Sequence, residues 1–389
     1  MRKLISITLV VLFLFGCLTG CGDARSAPEE TAAAAPEETA ETAAETETET
    51  PPAPDFAAAY AKNAPETIVG TAEGMEFDWS MYFNVLNQYA NTLYSYYGMS
   101  DFSEELREGY TMGDLIRERA ELDLRQIAML YGRAEALGLE LTEEDEAEIT
   151  EEITTYAALY FDGDNDALFE QMGVTENYYR LQAGASILYD KLMAHFFGDG
   201  GSALPDEDAA AWLAENEYQY AKHILFRTVD AATREPLDEE TVAEKKAQAE
   251  EVYAALKAAD PSVLPELFDT MMNTYSEDTG LAANPDGYFF REGKMVDEFY
   301  QAAKALEEGE LSDIVETVYG YHILYRPALN PDAVFGVDSS YQPYTLRYHA
   351  AEALLGTMLD GWLEETEFRY APEFQDFDVA ALFAEAAAD

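Results

Sequence analysis

The sequence predicts an α+β protein, mainly helical with one small sheet, on three observations. Two nearly identical strand-like segments, Tyr220-Ala-Lys-His-Ile-Leu-Phe226 and Tyr319-Gly-Tyr-His-Ile-Leu-Tyr325, lie roughly a hundred residues apart, each with one histidine in an apolar run. From Phe56 to Asn216 the apolar residues recur at helical spacing, and a further helix-period face runs from Leu346 to Leu363. A strand turns alternate side chains to opposite faces, so His223 shares a face with Leu225 and His322 with Leu324. Paired as neighbours, the two strands could bring both imidazoles together.

The elements follow in chain order. Arg2 and Lys3 precede an apolar run, Leu4 to Phe15, and then Leu18-Thr19-Gly20-Cys21, which resembles a lipoprotein signal peptide over 1–20 with its lipobox. The run is too short for a transmembrane helix. Cys21 is the expected lipid acceptor; cleavage before Cys17 would put the bulky Phe15 where a small residue is usual, and an ordinary secretory signal with an incidental cysteine is the alternative. Both cysteines lie here, so the folded part has no disulfide. Residues 21–55 are low complexity, with no apolar residue larger than Ala between Gly22 and Pro54. Such a segment cannot bury enough surface to offset its chain entropy, and it predicts a disordered acidic tether of roughly 30 Å reach.

In the first helical region, Leu115, Ile116, Arg119, Leu122 and Gln126 to Leu130 predict a helix ending at Leu137-Gly138-Leu139. Thr142-Glu-Glu-Asp145 resembles a capping box that opens a helix carrying Ile149, Ile153, Tyr156 and Leu159 on its apolar face. Further helices are expected over Glu176 to Phe197 and from Pro205-Asp-Glu-Asp208. His195 and His349 stand alone on predicted helices and read as packing residues. Asp162-Gly-Asp-Asn-Asp166 hints at calcium but lacks the longer ligand series of an EF-hand, so no metal and no cofactor is expected. Near the C-terminus, Leu346, His349, Leu354, Leu355, Met358, Trp362 and Leu363 form one apolar helix face, which must pack on something. Phe374 to Val379 alternates like a final strand.

Charge narrows the partners. With 77 acidic against 23 basic side chains, the formal net charge is −54. Phosphate backbones need clustered Lys and Arg, so nucleic acid is excluded as a partner.

Between the histidine strands lie Thr274-Tyr-Ser-Glu-Asp-Thr-Gly280, Asp286-Gly-Tyr-Phe289, Gly293-Lys-Met295, Glu298-Phe299 and Glu308-Gly-Glu-Leu-Ser312. Together with Gly320-Tyr-His-Ile323, in this order and spacing, they resemble the parvulin-type peptidyl-prolyl isomerases. That resemblance implies a domain over 217–327 with a small antiparallel sheet packed against helices. The flanking helices, entered through Thr67 to Phe77, more loosely resemble the chaperone domain of extracytoplasmic foldases of the SurA and PrsA kind. By that resemblance the C-terminal segment returns to the N-terminal helices, so 56–216 and 328–389 form one discontinuous helical chaperone domain and 217–327 is inserted in it.

The isomerase resemblance also implies roles. Met295 and Phe299, four apart on a predicted helix, match a proline-ring pocket, although an i, i+4 core pair has the same spacing. His223 and His322, with Thr317 beside them, match the family's paired histidines, either catalytic or a core network that orients the pocket. Asp278 falls where the family has cysteine or aspartate; a hydrogen-bonding or electrostatic role near the carbonyl fits it, as does simple turn capping. Asp286 and Phe289 match positions in the substrate-pocket wall, and Asp286 departs from the apolar residue usual there. The loop after the first strand holds Arg227 and Arg234 amid Asp230, Glu235 and Asp238, which argues against phosphate selectivity. The implied protein is a membrane-anchored, extracytoplasmic foldase, lipidated on Cys21, that acts on unfolded proline-containing exported chains. A holdase with an inactive isomerase-like domain, motivated by Asp286, and a solute-binding lipoprotein are the alternatives.

Overall fold

The computed structural model describes residues 54–338 and 340–386. The expected signal peptide, Cys21 and nearly all of the tether lie outside the described residues. The chain divides into two compact units, one made of the described residues up to 192 with those from 356 onward, the other of residues 193–355. The divisions fall inside two long helices, Glu176–Phe197 and Leu346–Glu365.

The first unit opens with α1 (Phe56–Tyr60), whose N-cap Asp55 accepts the Ala58 N–H. The hairpin β1 (Ile68–Ala72) and β2 (Met75–Asp78) follows, then α2 (Trp79–Tyr97), which is capped by Asp78 and ends at Gly98. After a short hairpin, β3 (Glu105–Arg107) with β4 (Tyr110–Thr111), the long α3 (Met112–Ala136) begins at a capping box between Thr111 and Asp114. It stops where expected, with Gly138 at φ 71°. The predicted box between Thr142 and Asp145 opens α4 (Glu143–Tyr160), and α5 (Asn165–Met172) leads to α6 (Glu176–Phe197). In α4 the buried face is Ile149, Ile153 and Ala157. Leu159, expected on that face, is 67% exposed because the i, i+4 series that faces the core ends at Ala157.

A buried carboxylate marks this unit. Asp123, on α3, is 4% exposed and accepts hydrogen bonds from the Tyr89 hydroxyl at 3.1 and 3.2 Å. Burial raises its pKa to about 7, against the opposing pull of the Tyr89 hydrogen bond and the Arg119 charge. The folded unit therefore holds a proton here that the unfolded chain, with an ordinary aspartate near pH 3.9, has released. This contribution is fully present below about pH 4 and lost as pH rises through about 7. Asp123→Asn should flatten that loss, and urea midpoints of the unit at pH 5 and pH 8 check it. A wild type and variant that change in parallel would contradict the assignment.

The second unit contains α7 (Asp206–Glu215), β5 (Gln219–Arg227), α8 (Glu239–Lys257), α9 (Leu264–Tyr275), β6 (Tyr288–Phe290) and α10 (Asp297–Lys304). It continues with β7 (Val315–Thr317), β8 (Gly320–Tyr325) and the hairpin β9 (Val334–Val337) with β10 (Pro343–Thr345). The start of α11 (Leu346–Glu365) also belongs to it. Its main sheet is antiparallel in the order β6-β5-β8-β7. One face, through Ile224, Phe226, Tyr321, Ile323 and Tyr325, packs on α8 and α9 with Phe268 and Met272 at the centre. The other, through Ala221, Leu324 and Phe290, packs on Phe299, Tyr300 and Ala303 of α10. Gly320 opens β8 at φ 144°, and a Cβ there would lie 2.1 Å from the Phe226 carbonyl oxygen, so only glycine allows β5 and β8 to close at this point. His349 stacks on Phe335 (4.7 Å between ring centres) with Trp212 edge-on at 5.0 Å, and burial lowers its pKa.

The chain then returns to the first unit. The buried residues of α11 are Leu346, Ala350, Ala351, Leu355 and Leu359, while Leu354, Met358, Trp362 and Leu363, expected on the same face, are half-buried. β11 (Arg369–Tyr370) pairs antiparallel with β1. The strand expected over Phe374 to Val379 does not form: a single helical turn spans Pro372–Phe374, and α12 (Val379–Ala386) follows. Pro372 cannot donate to a ladder, and Asp378 caps the new helix by accepting the Ala381 N–H at 2.9 Å. α12 lies close on α3, where a Cβ on Gly113 would meet the Ala380 backbone nitrogen at 2.7 Å.

Candidate functional site

The paired histidines meet because of strand register. β5 and β8 align His223 with Leu324 and Leu225 with His322, which puts all four side chains on the face that α10 covers. The ring nitrogens His223 Nδ1 and His322 Nδ1 are 3.2 Å apart, and the rings stack at 25°. Thr317 arrives on the adjacent β7, opposite Gly320, with its Oγ1 2.9 Å from His322 Nε2. On the other side, His223 Nε2 is 3.1 Å from Asp278 Oδ2.

Asp278 anchors this chain of bonds. Burial alone would raise its pKa, but hydrogen bonds from His223, the Tyr288 hydroxyl and the Gly280 N–H hold it well below the usual carboxylate range. An ionised carboxylate only accepts, so His223 Nε2 donates to it. With His223 neutral, its Nδ1 then accepts from His322 Nδ1–H, and His322 Nε2 accepts from the Thr317 hydroxyl. The Thr317 hydroxyl also lies 3.5 Å from the Gly320 carbonyl. His322 itself stays neutral: burial, then the neighbouring His223, lowers its pKa to about 3. The network is a chain of hydrogen bonds with its negative end at Asp278.

A cavity of about 420 Å³ opens over this network. Its apolar wall is Leu225, Met295, Val296 and Phe299, and its polar wall is His223, His322, Asp278 and Tyr288. Phe299 is 3% exposed and presents its edge to both imidazoles, at 5.2 Å from His223 and 5.4 Å from His322. Met295 lies in the turn before α10, not on the helix as the i, i+4 spacing suggested, yet it reaches the same cavity. A separate cavity of about 530 Å³ in the first unit, lined by Glu73, Tyr131, Glu135 and Leu188 among others, contains no histidine.

Two of the residues expected in the pocket wall are elsewhere. Asp286 is exposed in the turn before β6 and does not line the cavity. Phe289 pairs with Tyr220 across β6 and β5, which puts it on the face opposite the histidines, and it packs on Tyr220 and Phe335. Its neighbour Tyr288, opposite Ala221, points to the histidine face instead. Sequence reasoning missed Tyr288: the period of two says that only one residue of Tyr288-Phe289 can share a face with His223, and the register of β6 on β5 decides which. The phenol is pushed above its ordinary range by burial and by the Asp278 carboxylate it bonds. Among the described residues no cluster could hold a metal, and no helix is long and apolar enough to cross a membrane.

Comparison with known proteins places the same segment. Residues 223–328 match the Rotamase family model, described as "PPIC-type PPIASE domain". The chain is 31% identical to the foldase protein PrsA of Halalkalibacterium halodurans over 226 residues, covering 54% of this chain and 59% of that one. It is 43% identical to PrsA of Bacillus subtilis over 86 residues, 22% of this chain and 27% of that one. The chain thus spans less than two thirds of these relatives' length. The crystal structure of Bacillus subtilis PrsA aligns with 74% of this chain and 91% of its own at 19% identity and a TM-score of 0.22. The segment that carries the paired histidines is thus similar to PPIC-type peptidyl-prolyl isomerase domains, in a chain similar to the PrsA foldases.

Proposed function

We propose that this protein is an extracytoplasmic foldase, anchored to the membrane through Cys21, that holds unfolded exported chains with a discontinuous helical domain and isomerises their X-Pro bonds in the second unit. The observation that carries the reading is the bond network from Asp278 through His223 and His322 to Thr317 at the floor of a cavity walled by Met295 and Phe299.

The reaction asks little covalent chemistry. Amide resonance sets a barrier of about 18 to 20 kcal/mol to rotation, and an X-Pro bond left alone takes roughly tens to hundreds of seconds. No bond breaks, so the catalyst need only bind the twisted amide better than the planar one. The apolar wall of Met295 and Phe299 takes the proline ring and fixes one side of the bond. On the other side, the planar amide carries extra negative charge on its oxygen, and twisting withdraws that charge. An ionised Asp278 near the oxygen disfavours the planar state relative to the twisted one. The hydrogen bonds among Thr317, His322 and His223 keep His223 and Asp278 in place. Asp286 lies outside the cavity lining, which favours the active reading over the holdase alternative.

A protease-coupled isomerisation assay on a proline tetrapeptide tests the activity; a rate equal to the uncatalysed one at micromolar protein would reject it. Anchoring is tested separately. Lipidation of a lipobox needs the thiol, so Cys21→Ser should abolish incorporation of a labelled fatty-acid analogue while Cys17→Ser leaves it intact. Label that persists in the Cys21 variant would place the anchor elsewhere.

A further inference from the structure

Two helix-interior glycines shape a groove in the first unit. Glycine destabilises a helix relative to alanine, so its place here needs a reason. On α3, a Cβ at Gly132 would lie 3.1 Å from Glu73 Cβ, in the turn between β1 and β2. On α6, a Cβ at Gly184 would lie 2.2 Å from the Tyr131 hydroxyl and 2.8 Å from Leu141 Cδ1. The missing side chains let that turn and the segment after α3 close in around the cavity of about 530 Å³. Its apolar floor is Met75, Ala128, Leu139, Leu141 and Leu188, of which Met75, Leu139 and Leu141 are only half-buried. Three exposed carboxylates rim it, Glu73, Glu135 and Glu140, and among the described residues no cation lines it. Glu135 and Glu140 have no side-chain hydrogen bond or ion pair among the described residues, and Glu73 accepts only the Thr366 hydroxyl at 3.4 Å. Lys191 reaches the Glu140 carbonyl at 2.9 Å but gives its charge to Asp145, at 2.6 Å. An adjoining cavity of about 430 Å³, across Glu73 and Gly74, is balanced: its Glu365 pairs with Arg133 at 2.7 Å and its Glu367 with Arg369 at 3.1 Å. The larger groove alone joins an apolar floor to uncompensated negative charge.

We propose that this groove binds a lysine or arginine of an unfolded client, flanked by apolar residues, an inference that rests on the foldase reading of the protein. Such side chains bury their methylene stems on apolar surface while the charged head stays in water. Here the stem lies on Met75, Leu139 and Leu141, and the head reaches the carboxylates of Glu73, Glu135 and Glu140 at the rim. The volume falls within the roughly 300 to 1,000 Å³ of ligand pockets, room for that side chain and an apolar neighbour. One exposed ion pair is weak, so the selection comes from three carboxylates around one head together with the buried stem. At net −54 the protein also draws basic chains from a distance, whereas an acidic segment is repelled both far away and at the rim. A charge without a stem, or a stem without a charge, satisfies only half of the groove.

Three labelled peptides without proline, Gly-Leu-Ala-Lys-Ala-Leu-Gly and its versions with norleucine or glutamate at the centre, decide the matter by fluorescence anisotropy on the whole protein. The lysine peptide should bind at least fivefold more tightly than the norleucine peptide, with glutamate weakest. That ratio should fall toward one in the Glu135→Gln/Glu140→Gln variant. It should persist in Glu148→Gln/Glu170→Gln, which removes the same charge from exposed positions on α4 and α5. Turnover of a prolyl tetrapeptide should be unchanged in both variants, since the groove and the histidine cavity share no lining residue. Equal binding of the lysine and norleucine peptides by the wild type would overturn the proposal. So would a ratio that both variants lower alike or that neither lowers, because the preference would then belong to the overall charge. Suppression of the aggregation of reduced lysozyme tests holding separately. Lysine selectivity without suppression would sustain the groove and reject the holding part of the foldase reading, whereas suppression without selectivity would leave that reading standing and overturn the groove.

Discussion

Deleting the chain from Glu367 onward is expected to unfold the first unit. That short segment supplies β11, which pairs Tyr370 with Gly70 and Arg369 with Thr71, and it closes the aromatic core. Phe374 stacks on Trp79 at 6.0 Å and Phe377 meets the same indole edge-on at 5.6 Å. Phe383 packs against Phe56, Phe83 and Phe102. Arg117 donates to the carbonyls of Phe374, Gln375 and Phe377, which satisfies backbone groups that no helix or strand would. Phe374, Val379, Leu382 and Phe383 are all buried. At about 1.5 to 3 kcal/mol each, they contribute about 6 to 12 kcal/mol, against about 5 to 15 kcal/mol for the whole stability of a typical domain. Differential scanning calorimetry should show one transition lost while the other remains, and Trp79 fluorescence should report solvent exposure at all temperatures. A truncated protein that keeps both transitions would show the segment to be dispensable.

Phe299→Ala is the second change with a large expected effect, and it should act in two ways. The ring forms the apolar floor of the cavity and holds both imidazoles edge-on, so its loss should lower kcat/KM for a prolyl tetrapeptide by at least tenfold, about 1.4 kcal/mol of transition-state stabilisation. It is also buried against Phe290 and Tyr300, and a Phe→Ala change in such a core costs about 3 to 5 kcal/mol. The two effects separate if rates are normalised to the folded fraction from circular dichroism. Met295→Ala serves as the companion: it lines the same cavity from a half-buried position, so it should slow turnover with little loss of stability. Wild-type rates per folded molecule in both variants would put the proline ring elsewhere.

What could be read from the sequence was mostly local. Strand alternation puts His223 on the face of Leu225 and His322 on the face of Leu324, and the register of β5 on β8 makes these one face. The box at Thr142-Glu-Glu-Asp145 and the glycine at 138 mark helix ends through bonds made within a few residues. The misreadings have a common cause, which is a partner distant in sequence. Asp286 and Phe289 were placed by position within a motif, but their orientation depends on how β6 registers against β5. Phe374 to Val379 alternates in hydrophobicity, yet Pro372 and the cap at Asp378 divide it between a turn and a helix, and its large side chains find Trp79 and α3 rather than a neighbouring strand. Lys294 is some sixty residues from Arg234, and only the fold shows that both line the histidine cavity.

The pairing of β1 with β11 joins residues about three hundred positions apart, and this bears on the order in which the protein acquires structure. The second unit is continuous in the chain, 193–355, so every one of its contacts is available before the last residues are synthesised. The first unit is not: Trp79, Phe83 and Phe102 remain uncovered until Phe374 and Phe383 have been made. Folding of the second unit in the interval shortens the loop that must close, and since closure entropy grows only logarithmically with loop length, the thermodynamic gain is modest. The kinetic effect is larger, because pairings distant in sequence form slowly and exposed aromatic surface invites aggregation meanwhile. A protein whose proposed work is to shelter unfinished chains must itself wait, half-built, until Phe374 and Phe383 are made.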